Sequence, residues 1–128
     1  MKIVGIGVDI IQNSRIKKAI KNKSFVNRIF TKSEISSSKI RNYKTNYFAK
    51  RFAAKEAFIK SIGIGIRKGI NFKDIYVIND KFGKPNIKFS NKVNNLIIKK
   101  FKTRNFDIFL SLSDEKNYSI AFVIIQKK

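Results

Sequence analysis

The sequence predicts an α+β fold in a single domain spanning residues 1–128, with a largely antiparallel sheet packed against a long central helix. Three observations carry this. At 128 residues the chain is the size of one domain and too short for two ordinary ones. Its composition, 43% hydrophobic with 12 Phe, is that of a chain with a real core. Two pairs of strand-like runs are each joined by a tight polar turn, which suits antiparallel neighbours, and the helical patterns stand apart from them.

In chain order, Ile3 to Ile10 is an apolar run broken by Gly5 and Gly7, and it reads as a buried strand ending in Asp9. Ser14 can cap a short helix from Arg15 to about Asn22, and another turn follows around Phe25 to Phe30. Thr31-Lys-Ser-Glu34 has capping-box spacing and opens a helix over about Lys32 to Asn42. The longest helical pattern runs from about Thr45 to Ile62 and stops at Gly63-Ile-Gly65, where glycine permits left-handed backbone. Ile75 to Ile78 and Asn86 to Phe89 form a hairpin across the turn Asn79 to Pro85. Ser90 caps a helix over Asn91 to Phe101, in which Val93, Leu96, Ile97 and Phe101 keep helical spacing. Phe106 to Ser113 and Tyr118 to Gln126 are the last two strands, joined at Asp114 to Asn117.

Composition narrows the chemistry. Without Cys there are no disulfides, thiolate metal sites or Cys nucleophiles, and without His any general base is a carboxylate, a lysine or a water. That also leaves Ser111 and Ser113 without an activating imidazole. No apolar run approaches the roughly 18 residues that span a bilayer, and the N-terminus lacks a signal-peptide pattern. No membrane partner is expected, and the setting is read as cytoplasmic. The net charge of +21 invites a nucleic-acid reading, although 23 Lys, 23 Ile and 13 Asn are also what AT-rich coding produces. Position says more than the total. Between Asp9 and Glu34 no acid occurs, while Arg15, Lys17, Lys18, Lys21, Lys23, Arg28 and Lys32 all do, a positive surface that would steer an acidic partner.

One carboxylate stands out. In Phe48-Ala-Lys-Arg-Phe-Ala-Ala-Lys-Glu-Ala-Phe-Ile-Lys60, Glu56 shares a helix face with Ala49, Phe52, Ala53 and Ile59. An ordinary i,i+4 salt bridge to Lys60 is one reading. The other is a ligand site. Asp9 and Glu56, two hard oxygen donors from separate elements, suit Mg²⁺ with water or phosphates completing its shell. Arg51, Lys55 and Lys60 are then natural counter-charges for phosphate. Nucleic acid would explain the charge but not two carboxylates on apolar surfaces, so it is not the partner expected.

Taken in order, these segments resemble the holo-acyl-carrier-protein synthases, the small phosphopantetheinyl transferases of fatty-acid synthesis. The resemblance rests on Gly5-Ile-Gly-Val-Asp9-Ile10, Arg15, Arg28-Ile-Phe-Thr31 with Glu34, and Arg51-Phe-Ala-Ala-Lys-Glu-Ala-Phe-Ile-Lys60 with Gly63-Ile-Gly65. Gly83-Lys-Pro85 and Leu110-Ser-Leu-Ser-Asp114-Glu extend it over essentially the whole chain. It implies the phosphopantetheinyl transferase fold and transfer of 4′-phosphopantetheine from coenzyme A to a serine of an acidic apo-acyl-carrier protein, with release of adenosine 3′,5′-bisphosphate. It further implies that Asp9 and Glu56 hold Mg²⁺, with Asp9, Glu56 and Lys60 catalytic. Arg51, Lys60, Gly63, Gly65 and Pro85 would bind coenzyme A. Arg15, Lys21, Phe25 and Arg28 would meet the carrier protein, and the assembly would be a homotrimer with sites at subunit boundaries. Glu56, directly or through a bound water, would take the serine proton. Two departures from the family pattern are Phe109, where many members have histidine, and Ile64, where a threonine is usual.

Overall fold

The computed structural model describes residues 1–63 and 69–128. The elements run β1 (Lys2–Gln12), α1 (Asn13–Ala19), α2 (Lys23–Ile29), α3 (Lys32–Ser38), α4 (Lys44–Ile62), a short 3-10 helix (Phe72–Asp74), β2 (Ile75–Asn79), β3 (Pro85–Phe89), α5 (Asn91–Phe101), β4 (Phe106–Asp114) and β5 (Tyr118–Lys127). Among the described residues every strand pairing is antiparallel, and the strands form two sheets, β1-β5-β4 and the hairpin β2-β3.

Helix α4 is the axis of the fold. It is buried nearly all round, from Tyr47, Phe48 and Ala49 through Ala53, Ala54, Ala57 and Phe58 to Ile62, as a central helix must be. It lies so close to β1 that a methyl group cannot fit between them. A Cβ on Gly7 would sit 1.8 Å from the Ala57 carbonyl oxygen, and one on Gly5 2.3 Å from that of Ser61. The glycines of the opening strand are therefore a notch for the helix. Facing the notch, alanines keep the helix surface flat, while Phe58, Phe89 and Phe106 stack at 5.5 and 6.3 Å beyond it.

Three expectations change. Strand β1 does not end at Asp9, because Ile10, Ile11 and Gln12 continue the ladder against Ile120, Ser119 and Tyr118. Ser14 caps nothing. Helix α1 starts at Asn13, whose buried side chain donates to the carbonyls of Glu115 and Lys116 and accepts from the Ser119 hydroxyl. Helix α3 stops at Ser38 rather than Asn42, after three consecutive serines whose hydroxyls compete for helix backbone, Ser38 donating back to the Ile35 carbonyl. Its expected capping box is present, with Thr31 and Glu34 bonding reciprocally.

The buried strand also proves to be buried on one face only. Gly5, Gly7 and Ile11 face α4, whereas Ile6, Val8 and Ile10 remain more than half exposed at 58%, 53% and 58%. Their ladder partners Ile124, Phe122 and Ile120 share that outer face, and Phe109 of β4 stands opposite Ile124. The outer side of β1 and β5 is thus largely apolar and uncovered, with Ser111 and Ser113 of β4 along its margin, an apolar patch larger than scattered surface hydrophobics account for.

Candidate active site

Three of the residues singled out in the sequence converge at the notch. Asp9 is the residue of β1 that follows Gly7 on the inner face, beside the turn of α4 that carries Glu56 and Lys60. Lys60 Nζ is 3.1 Å from Asp9 Oδ1 and donates to the Val8 carbonyl at 3.1 Å. The i,i+4 pairing of Lys60 with Glu56 is not what forms; the lysine crosses to the strand instead. Glu56 is half-buried with no cation in ion-pair contact among the described residues. Burial holds its carboxyl above the usual glutamate range, the negative charge of Asp9 adds to this, and Lys60 partly offsets it. A half-buried carboxylate whose ionisation is made costlier by a second carboxylate beside it fits a divalent cation. No group of three or more potential ligand side chains gathers anywhere among the described residues. A cation here would therefore take two protein oxygens and fill its shell from water and phosphate, which is the habit of Mg²⁺.

A second concavity lies elsewhere. A cavity of about 530 Å³ opens between the start of α4, the segment after α3, the end of β2 and the β4–β5 turn, with Arg41, Tyr47, Lys50, Arg51, Asn79 and Asp114 in its wall. Arg51 is only 5% exposed, lies 3.8 Å from the centre of the Tyr47 ring, and donates to Asn79 Oδ1 at 3.3 Å. Its Nε has no hydrogen-bond partner among the described residues. Burial pulls its pKa below the usual guanidinium value. Asp114 is held by Lys50 at 3.3 Å and by the Asn46 amide at 2.7 Å. Two arginines and a lysine stand in this wall with Asp114 and Glu115, and since Lys50 and Asn46 already hold Asp114, the arginines are left to suit an anionic ligand.

The profile of the 4′-phosphopantetheinyl transferase superfamily matches residues 5–123. The chain belongs to this superfamily. It is 55% identical, over 100% of both chains, to the holo-[acyl-carrier-protein] synthase of Pelagibacter ubique (strain HTCC1062). Its fold superposes on the holo-(acyl-carrier-protein) synthase of Bacillus anthracis str. Ames in complex with CoA (3′,5′-ADP), with TM-score 0.81 and 37% identity over 100% of both chains. The enzyme from Neisseria meningitidis gives TM-score 0.86 at 37% identity, covering 98% of this chain and 99% of that one.

In this phosphopantetheinyl transferase the remaining sequence candidates are spread out. Gly63 is the left-handed C-cap of α4 (φ 81°), whose N–H donates to the Ile59 carbonyl, and Gly65 lies outside the described residues. Pro85 opens β3 opposite Asn79, the residue that holds Arg51 at the cavity wall. Arg15, Lys21 and Arg28 are exposed on and between α1 and α2, whereas Phe25 is half-buried against Phe30 and Phe52 at 6.4 and 6.3 Å. Lys55 is not a phosphate ligand. It is wholly buried, 2.7 Å from an equally buried Glu34, and donates also to the carbonyls of Ile29 and Phe72. Burial depresses its pKa, and the Glu34 carboxylate works against that. Sequence reasoning missed Tyr47, Asn79 and this pair. Tyr47 precedes Arg51 by one helical turn, a spacing that puts ring and guanidinium together and was there to be read.

Proposed function

We propose that the chain transfers 4′-phosphopantetheine from coenzyme A to the serine of an apo-acyl-carrier protein, releasing adenosine 3′,5′-bisphosphate, in fatty-acid biosynthesis. The observation that carries this reading is the meeting of Asp9, Glu56 and Lys60 at the glycine notch, in a superfamily member closely similar to holo-[acyl-carrier-protein] synthases. The chain supplies no nucleophile of its own, and the reaction asks for none. The carrier serine oxygen attacks the β-phosphorus of coenzyme A, the bond from that phosphorus to the bridging oxygen breaks, and the bisphosphate leaves with the electron pair. Glu56, made more basic by burial and by Asp9, takes the serine proton. The Lys60 ammonium, already at the strand edge beside Asp9, faces the charge that develops on the transferring phosphoryl oxygens. Mg²⁺ bound between Asp9 and Glu56 would neutralise the diphosphate and hold it in line.

Arg51, Pro85 and the Gly63–Gly65 loop are assigned to coenzyme A, with the arginine-lined cavity taking its anionic end. That assignment requires a second copy of the chain. Arg51 and Glu56 are five residues apart on α4, about 140° around the helix, so one chain turns the cavity and the carboxylates to different sides. A homotrimer closed through the bare outer face of β1-β5-β4 would bring the cavity of one subunit to the carboxylates of the next. The exposed Arg15, Lys21 and Arg28, with the edge of Phe25, form the dock for the acidic carrier protein. No described helix is long and apolar enough to cross a membrane, and a cysteine-free chain suits a cytoplasmic setting. The test is direct: incubate the purified chain with coenzyme A, Mg²⁺ and apo-carrier protein, then weigh the carrier. Gain of one phosphopantetheine is expected; an unchanged carrier with intact coenzyme A would refute the reaction.

A further inference from the structure

Arg51 is buried, charged and without a carboxylate partner among the described residues. Its one hydrogen bond among the described residues, to Asn79, is long at 3.3 Å. What fixes the direction of its guanidinium is the ring of Tyr47, 3.8 Å away and one turn earlier on α4. That ring is itself anchored. Tyr47 is 5% exposed, packs edge-on against Phe48 at 5.3 Å, and donates its hydroxyl hydrogen to the Glu34 carbonyl at 2.7 Å. Glu34 is anchored in turn, its carboxylate accepting from Lys55 at 2.7 Å, from the Thr31 N–H at 3.0 Å and from the Val77 N–H at 3.0 Å. The Arg41 guanidinium stands 5.6 Å from the same ring, and both arginines line the cavity. Two like charges gathered on one ring repel each other, and an anion between them would relieve that.

We propose that Tyr47 is a positioning residue whose ring, held by Glu34, aims the guanidinium of Arg51 into the cavity to grip an anionic group of the coenzyme. This rests on the assignment of the cavity to coenzyme A. The experiment titrates the full chain with coenzyme A and with adenosine 3′,5′-bisphosphate by calorimetry, and measures KM for both substrates. Tyr47→Phe keeps the ring but releases it from the Glu34 carbonyl, and should weaken both ligands by less than Tyr47→Leu does. Tyr47→Leu removes it and should weaken both ligands about five- to thirty-fold, with KM for the carrier protein unchanged. In a double-mutant cycle, Tyr47→Leu added to Arg51→Met should cost nothing more, since the ring acts only through that guanidinium. Where Tyr47→Leu does not fold, trifluorophenylalanine at position 47 keeps the size of phenylalanine but drains charge from the ring face, and should still bind more weakly than Tyr47→Phe.

Undiminished binding by Tyr47→Leu or by the fluorinated ring, or additive losses with Arg51→Met, would overturn the platform while leaving the coenzyme assignment intact. A wild-type chain that binds neither ligand would overturn the assignment itself, and the role of Arg51 with it.

Discussion

Gly7 is the position where packing and chemistry are most tightly joined, and Gly7→Ala tests the connection. The added methyl would lie 1.8 Å from the Ala57 carbonyl oxygen, 2.8 Å from its carbon and 2.9 Å from the Ser61 nitrogen, all backbone atoms that cannot rotate aside. Real Cβ contacts essentially never fall under 3.0 Å, so α4 must retreat from β1 by about 1.2 Å at this level. Forcing a methyl into a filled contact of this kind costs about 1–3 kcal/mol. The retreat opens the gap beside Glu56 and Lys60, whose partner Asp9 stays on the strand. A displacement of about 1 Å in a reacting constellation costs on the order of a hundredfold in rate. The expected result is lowered stability in denaturant together with a drop of that order in kcat for carrier modification, measured on the folded fraction with both substrates saturating. A variant with reduced stability but undiminished kcat would show that the notch is packing alone. Unchanged stability would refute the contact itself.

Glu56→Gln should abolish transfer yet stabilise the metal-free fold at neutral pH. The carboxyl is held above its unfolded value, so it favours the native state in acid, and that contribution is lost as pH rises through the folded value. Thermal unfolding in EDTA should therefore give a higher Tm for the variant at pH 7 and no difference well below the ordinary glutamate range; a lower Tm at pH 7 would contradict the electrostatics. Lys55→Met strands the buried Glu34 carboxylate and should cost about 3–5 kcal/mol in urea unfolding. Adding Glu34→Gln should recover much of this, and no recovery would mean the pair is not the source of the loss. Arg15→Glu with Arg28→Glu should raise KM for the carrier protein far more than KM for coenzyme A, and equal effects would place the dock elsewhere.

Local signals were legible in the sequence wherever one segment decided the outcome. The Thr31–Glu34 box, the Ser90 cap, α5 from Asn91 to Phe101 and the Gly63 stop all depend on residues within a turn or two of each other. The Asp9–Glu56–Lys60 cluster was legible because acids on apolar surfaces are anomalous in any fold. What the sequence hid was long-range. Asn13 rather than Ser14 opens α1 because its amide is claimed by the β4–β5 turn, more than a hundred residues away in the chain. Lys55 looked like a ligand for phosphate because nothing local reveals that Glu34 will be folded onto it. The apolar run Ile3 to Ile10 reads as a buried strand, because a hydrophobic run does not reveal that the described elements cover only one of its faces.

The turn of α4 that separates Arg51 from Glu56 also has a consequence for genetics. If each working centre borrows its arginine wall from one copy and its acids from a neighbour, two lifeless alleles can rescue each other. Copies carrying Asp9→Asn and copies carrying Arg51→Met, mixed evenly before assembly, would regenerate intact boundaries at about a quarter of positions, by random choice of the two donors in a ring. By the same logic a single such allele mixed evenly with wild type would leave about half of the boundaries intact, no fewer than its share of copies dictates.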